Sequence, residues 1–233
     1  MTTITTKQQQ AIADILATMT LPRGLGTKEN ACSIAAINLA LTGVLADTIP
    51  ECMSEVIGKW IIKVQDSMPA EMRNSAEWKR LLPLAAGTGR KREKERLEII
   101  LSWMWDTVLP TLQPIADAKG FKDEWRLMLQ QRTADAATAA ARAAEHYAAK
   151  AAADAVTYSN AAAADYAAIT AANATAATVA YSNADAANNA ANAATSAANA
   201  GYHAHYGAHY AAHYGAVWQQ FDPCGLLQKL IEV

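Results

Sequence analysis

The sequence predicts an all-α protein, and three observations lead to this fold class. Residues 134–216 contain 41 alanines in 83 positions, and alanine favours helix because it loses no side-chain entropy on ordering. Apolar residues in the first half recur at helical spacing, and no segment alternates apolar and polar residues over more than four positions. The composition divides the chain into a helical globular domain, residues 1–122, and an alanine-rich helical region, residues 123–233, with a short C-terminal amphipathic segment.

Glycine, proline and capping residues separate the helices predicted in the first half. Thr27 and Ser75 are expected to cap helix N-termini with their hydroxyls, and Gly43 is expected to follow a helix C-terminus. Pro50 suits a first helical position because its missing N–H is not needed there. In chain order, the expected helices cover residues 6–18, 28–41, 50–65, a short segment after Pro69, 76–84 and 90–108, followed by the terminal helical region from Asp123.

Polar residues are spaced regularly in the alanine-rich region. Seven of them recur every three or four positions and are expected to form one water-facing stripe of a helix. They are Asp185, Asn188, Asn192, Thr195, Asn199, Tyr202 and Tyr206. The other faces carry mostly methyl groups, which allow helices to approach one another closely.

The length of the alanine-rich region requires it either to fold back or to project. A continuous helix over residues 131–200 would be about 105 Å long, whereas a compact chain of this length has a radius of gyration of about 17 Å. The motif Tyr-Ser-Asn occurs at 158–160 and 181–183, where Ser and Asn can end one helix and cap the next. We favour a folded-back antiparallel bundle, and a stalk that pairs with a second copy is the alternative.

Charge and cysteine content restrict the function classes. The net charge is −2, and residues 1–150 carry 19 of the 20 basic groups against 17 acidic ones, so neither half suggests a general nucleic-acid binder. Three cysteines at no metal-like spacing indicate reduced thiols. Residues 1–10 are too polar for a signal peptide, and no run of 18 apolar residues occurs. We therefore expect a soluble cytoplasmic protein with no membrane partner and no cofactor.

A glycine turn followed by cationic residues predicts an anion site. The candidate residues are Gly87, Thr88, Gly89, Arg90, Lys91 and Arg92. Backbone N–H groups at a helix start and flanking arginines attract phosphate, although the segment lacks the glycine spacing and the Gly-Lys-Ser/Thr of a Walker loop. Glutamates follow at positions 93, 95 and 98, so a solvated helix face with internal ion pairs is the simpler interpretation.

Two other groups offer reactive side chains. Cys32 lies near a predicted helix start, where a thiol can have a lowered pKa and act as a nucleophile, but no histidine occurs in the first 145 residues to serve as its base. His205, His209 and His213 are spaced by four and could bind a transition metal if another helix supplied further ligands. An aromatic packing ridge with histidines on its wet side is the simpler interpretation of that segment.

The apolar C-terminal segment between Trp218 and Ile231 could either dock on its own domain or contact a second subunit. Both possibilities remain open from the sequence alone.

Residues 27–43, 49–66 and 82–90 resemble segments of small uncharacterised proteins encoded by bacteriophages and prophages, whose C-terminal halves are also alanine-rich. The resemblance implies a bacterial host cytoplasm and an accessory role, and it transfers no site residue. Since no complete catalytic set emerges, we predict a non-enzymatic helical protein that binds a second copy of itself, a host protein, or both. The alternatives are a nucleotide- or phosphate-binding protein that uses the Gly87–Arg96 turn and a cysteine-dependent enzyme that uses Cys32.

Overall fold

The computed structural model describes residues 4–154, 161–180, 184–204 and 210–233, with side chains for 4–149, 166–180, 184–200 and 214–233. Within these ranges every regular element is helical, which confirms the predicted fold class. The α-helices are α1 (Thr6–Thr18), α2 (Ser33–Thr42), α3 (Glu55–Ser67), α4 (Ala70–Arg73), α5 (Ala76–Ala85), α6 (Glu93–Trp103), α7 (Gln113–Lys119), α8 (Lys122–Gln131), α9 (Ala134–Asp154), α10 (Ala161–Ala180), α11 (Ala184–Ala204), α12 (Tyr210–Phe221) and α13 (Pro223–Glu232).

The helices form two compact units. The first unit comprises Met1–Ile99 together with Asp222–Val233, and the second comprises Ile100–Phe221. This division differs from the boundary predicted after residue 122, because α7 and α8 pack against α9 within the second unit. The change in composition marks where alanine becomes frequent, which is not where the packing changes.

The first unit is built around two buried tryptophans. Trp60 of α3 and Trp78 of α5 are both fully buried, with ring centroids 6.1 Å apart. The Trp78 indole N–H donates to the Ser33 hydroxyl at 3.1 Å, which ties α5 to the start of α2. The C-terminal helix α13 packs against α3 and α5 of the same unit, so the terminal apolar segment docks on its own chain through α13.

The predicted start of the second helix was wrong. The Thr27 hydroxyl accepts hydrogen bonds from the backbone N–H groups of Glu29 and Asn30, both at 3.3 Å, and so closes a local turn instead of capping a helix. Helix α2 begins five residues later than predicted, and its N-cap is Cys32. Its predicted end is confirmed, because Gly43 adopts the left-handed conformation at φ +74°.

Two other predicted helix starts were also early. Pro50 lies in a turn, which the Met53 N–H closes by donating to the Pro50 carbonyl at 3.0 Å. Helix α3 instead begins after Ser54, whose hydroxyl accepts the Ile57 N–H at 3.1 Å. Helix α6 begins at Glu93 and not at Arg90. The predicted cap at Ser75 is confirmed by its hydrogen bond from the Trp78 N–H.

The tight loop before α2 predicts different costs for two neighbouring glycine substitutions. Gly26 has φ +79°, and a methyl group added there would lie 2.0 Å from the Asn30 carbonyl oxygen. Gly24 has φ +68°, and an added methyl group would meet nothing within 4 Å. We expect Gly24→Ala to cost about 1–2 kcal/mol for its left-handed backbone and Gly26→Ala to cost at least about twice as much. Urea unfolding of both variants checks this, and equal midpoints would contradict it.

Alanine side chains form the core between the long helices of the second unit. Helix α10 packs against both α9 and α11. The buried alanines are Ala136, Ala137, Ala140, Ala141 and Ala144 in α9, Ala167, Ala168, Ala171 and Ala172 in α10, and Ala186, Ala187, Ala190, Ala191, Ala193, Ala194, Ala197, Ala198 and Ala200 in α11.

The polar stripe predicted on α11 is confirmed over the described side chains. Asp185 and Asn199 are exposed, and Asn188, Asn192 and Thr195 are partly exposed, while alanines between them are buried. The side chains of Tyr202 and Tyr206 lie outside the described residues, as do both Tyr-Ser-Asn segments. The folded-back bundle and the alternative of a stalk paired with a second copy both stay predictions.

Helix α6 continues into a π-helical segment, Met104–Val108, and a 3₁₀ segment, Leu109–Leu112. The Leu109 N–H donates to the Met104 carbonyl five residues earlier. Pro110 follows directly, and a proline in an α-helix lacks an N–H and clashes with the carbonyl four residues before it. The wider turn relieves this conflict, so the helix changes form before the proline.

Candidate functional site

The predicted anion turn uses its backbone donors within the protein. The N–H groups of Gly87, Thr88 and Gly89 donate to the carbonyls of Leu84, Ala85 and Cys52 at 3.0, 3.2 and 2.8 Å. The Thr88 hydroxyl donates to Ala85 at 2.7 Å and accepts the Ser54 N–H at 3.0 Å. These groups are therefore not directed toward an external phosphate.

The cationic side chains after this turn form surface ion pairs. Arg92 pairs with Glu95 at 2.8 Å, and Arg90 lies 3.8 Å from Glu55. Lys94 lies 3.9 Å from Glu98. These pairs agree with the interpretation of a solvated helix face with internal ion pairs. Binding of a nucleotide or phosphate by Arg90, Lys91 and Arg92 stays a prediction.

Arg96 connects the turn at residues 87–89 to the C-terminal helix α13 by hydrogen bonds. Its guanidinium donates to the carbonyl oxygens of Thr88 at 3.2 Å, Gly89 at 3.0 Å and Leu230 at 3.0 Å. The residue is 2% exposed, and the Glu93 carboxylate lies 3.8 Å away. Buried carbonyls need donors, so Arg96 acts as a structural clamp between the turn and α13.

The Cys32 thiol does not have the lowered pKa that a nucleophile at this position needs. Its sulfur accepts the Ala35 N–H at 3.4 Å as the N-cap of α2. Burial nevertheless raises the pKa of the Cys32 thiol, and this effect exceeds the opposing effect of the backbone N–H groups. The expectation of a lowered pKa was therefore wrong, and a reaction at Cys32 has no support from the thiol's environment.

All three thiols are expected to resist alkylation in the folded protein. Burial raises the pKa of Cys52, and burial together with the carboxylates of Glu77 and Asp222 raises the pKa of Cys224 to about 11. Because the thiolate is the reactive form, iodoacetamide at neutral pH should modify each residue at least about tenfold more slowly than after unfolding in urea. Mass spectrometry of the labelled peptides measures this, and rapid labelling of folded Cys32 would contradict it.

A small cavity lies beside Cys32. Asp47, Gln65 and Asp66 contribute polar groups to its lining, and its volume is about 30 Å³. Such a volume holds roughly two or three water molecules, whereas small-molecule sites are typically about 300 Å³ or larger. The Asp66 carboxylate also accepts the Gly24 N–H at 2.8 Å. The cavity is therefore too small for a nucleotide or a comparable organic ligand.

The predicted metal residues are not described at the level of their side chains. His205 and His209 lie outside the described residues, and His213 falls in α12 with its side chain outside them. Among the residues that the structure does describe, no three or more His, Cys, Asp or Glu side chains are grouped as metal ligands. Metal binding by the histidine row stays a prediction.

Over residues 166–180, whose side chains the structure describes, one side of α10 is uncharged and accessible. Its members recur every three or four positions along the helix, and we call this set the α10 face: Tyr166, Ile169, Thr170, Asn173, Ala176, Ala177 and Ala180. Tyr166 is 68% exposed, and Asn173 and Ala180 are also exposed. The opposite side of the helix carries buried alanines, with Thr175 and Thr178 fully buried.

The Thr170 hydroxyl of the α10 face requires no hydrogen-bond partner from another protein. The Thr170 hydroxyl donates to the carbonyls of Tyr166 and Ala167 at 3.1 and 3.0 Å, within its own helix. The side chains are larger at one end of the face than at the other. Tyr166 and Ile169 lie toward the start of the helix, and the three alanines lie toward its end. The face is thus an uncharged surface about 21 Å long, along which side-chain size decreases from the start of the helix to its end.

The α10 face was not predicted from the sequence. In α11 the asparagines mark the solvent side directly, whereas α10 has a single asparagine in the face. The available signal was the spacing of Tyr166, Ile169 and Asn173, the bulkiest side chains among the alanines of α10. That spacing alone does not tell whether the residues lie in a core or at a surface.

Comparison with known proteins finds no matching family model, curated protein or solved structure. Within the described residues, the helices are too short or too polar to cross a lipid bilayer.

Proposed function

We propose that this chain is a non-enzymatic helical protein that acts by binding another protein through the α10 face. The observation that carries the proposal is that α10 packs against α9 and α11 and leaves the uncharged α10 face accessible over the described residues 166–180. Single exposed apolar residues are normal on a protein surface, whereas a continuous patch is typical of an interaction site.

The residues of the α10 face suit protein contact. Tyrosine supplies a large, rigid contact area with a polar tip and is enriched at interfaces, and Tyr166 is the most exposed of the large apolar side chains among the described residues. The alanines of the face allow a partner backbone to approach closely. Raised thiol pKa values and the small cavity beside Cys32 disfavour the alternative of a cysteine-dependent enzyme.

The biological setting is part of the same proposal. The resemblance of the N-terminal segments to phage-encoded proteins supports an accessory role in a bacterial cytoplasm, where the partner is a host protein, a second copy of the chain, or both. A nucleotide-binding role receives less support, because the backbone donors of residues 87–89 are engaged within the protein.

The test is capture of proteins from a bacterial extract with three forms of the immobilised chain. Asn173→Lys places a charge at the middle of the α10 face, and Asn199→Lys places the same charge at an exposed position of α11. We expect a bound protein to be retained equally by the wild type and Asn199→Lys and at least about tenfold less by Asn173→Lys, since desolvating an unpaired charge is costly. Circular dichroism should show equal helix content in all three.

Equal capture by all three forms would contradict the proposal. So would a complete lack of specific capture combined with a monomeric chain in solution.

A further inference from the structure

We infer that the partner of the α10 face is a second copy of this chain, paired through antiparallel α10 helices with Asn173 at the two-fold axis. The inference rests on the proposed function and names its partner. It follows from the size order of the side chains along the face, from the position of its one amide, and from its lack of charge.

The side chains of the α10 face are self-complementary in size when the helix is reversed. The residues of the face form three pairs at equal distances from Asn173. Tyr166 lies seven residues before it and Ala180 seven residues after it. Ile169 and Ala177 lie four residues to either side, and Thr170 and Ala176 lie three residues to either side. Two-fold pairing of antiparallel helices sets each residue opposite its counterpart at the same distance from the axis. Every larger side chain of one copy therefore meets an alanine of the other.

This alternation of large against small is the packing that close helix contact requires. Ridges formed by larger side chains fit into grooves above small ones, and alanines allow short interhelical distances. A parallel pair would instead place Tyr166 beside Tyr166 and alanine beside alanine, which leaves one end crowded and the other loosely packed. The size order thus favours the antiparallel arrangement.

Asn173 supplies the polar group at the axis. Its side chain is exposed in the single chain, and a primary amide has both donors and an acceptor, so two such groups related by a two-fold axis can bond to each other reciprocally. An asparagine in a helix–helix contact specifies register because displacement would leave the amides unpaired. The amide therefore fixes the register at the position that side-chain size also selects.

The electrostatics of the face suit a second copy. None of its seven residues carries charge at neutral pH, so the like surfaces do not repel one another. A face about 21 Å long is at the low end of interface size, so we expect a reversible dimer and not an obligate one. The measurements consequently need concentrated protein.

Cysteine cross-linking tests the register directly. In the expected pairing, Asn173→Cys forms an intermolecular disulfide under mild oxidation, because facing residues lie within the Cα separation of about 7 Å that a disulfide permits. A mixture of Tyr166→Cys and Ala180→Cys chains should also cross-link, whereas Ala180→Cys alone should not, since two copies of residue 180 lie about 21 Å apart along the paired helices. The expected yield of each positive case is at least tenfold above its negative control.

The matched controls are the wild type, whose three cysteines are buried, and Asn199→Cys, whose thiol lies on the exposed polar stripe of α11. Cross-linking of Ala180→Cys alone at the yield of Asn173→Cys would overturn the antiparallel register. Failure of Asn173→Cys and of the mixed pair to cross-link above Asn199→Cys would overturn the second copy as partner. In that case, capture of another protein that depends on Asn173 would still uphold the binding role.

Discussion

Replacing Ala190 or Ala194 with leucine is expected to lower the free energy of unfolding by about 1–3 kcal/mol per substitution. Both alanines are fully buried in α11, which packs closely against α10. Leucine adds three carbons at a position where the alanine methyl group is already fully buried, and a close-packed interior has no space to receive them. The helices would have to move apart and lose contact along their length.

Ala216→Leu is the matched control, because Ala216 is exposed on α12 and should change stability by no more than about 0.5 kcal/mol. Urea unfolding monitored by circular dichroism measures all three variants. If leucine were tolerated at Ala190 and Ala194 as well as at Ala216, the close packing of the alanine-rich helices would be refuted.

Removing the Arg96 guanidinium is expected to destabilise the first unit by about 3–5 kcal/mol. Arg96→Met keeps much of the side-chain length but leaves the carbonyls of Thr88, Gly89 and Leu230 without this donor. The residue is almost fully buried, so water does not readily replace the lost hydrogen bonds. Arg96→Lys should give an intermediate loss, because one ammonium group does not reproduce the planar fork that reaches several carbonyls.

Lys94→Met is the control for this change. Lys94 lies on the same helix with a side chain that is 87% exposed, and its loss should cost no more than about 0.5 kcal/mol. Urea midpoints compare the variants. A cost for Arg96→Met no larger than that for Lys94→Met would show that the clamp does not hold α13 to the turn.

The sequence predicts well that the elements are helices, because helix formation depends on residues close together in sequence. Helix α1 and the caps at Gly43 and Ser75 follow from residue types and short spacings. At Thr27 and Pro50 the predicted helices begin earlier than the observed ones, because a hydroxyl or a proline can begin a turn as readily as a helix. The closure of the loop at Gly26 and the cap at Ser54 decide between a turn and a helix at these two positions.

The candidate sites depend on contacts between distant parts of the chain, which spacing does not reveal. The Gly89 N–H is engaged by Cys52, and Arg96 reaches Leu230 across 134 positions of sequence. Burial reverses the pKa shift expected for Cys32. The α10 face is accessible because of how α9 and α11 pack, so its spacing was visible in the sequence but its exposure was not.

The mass of the chain in solution tests the proposed pairing through the α10 face most directly. Light scattering at increasing concentration should give a mass that rises from 24.8 kDa for one chain toward twice that value, for the wild type and for Asn199→Lys. Asn173→Lys should remain at the mass of one chain. A wild-type mass that stays at 24.8 kDa in concentrated solution, or a dimer that Asn173→Lys does not weaken, would contradict pairing through the α10 face.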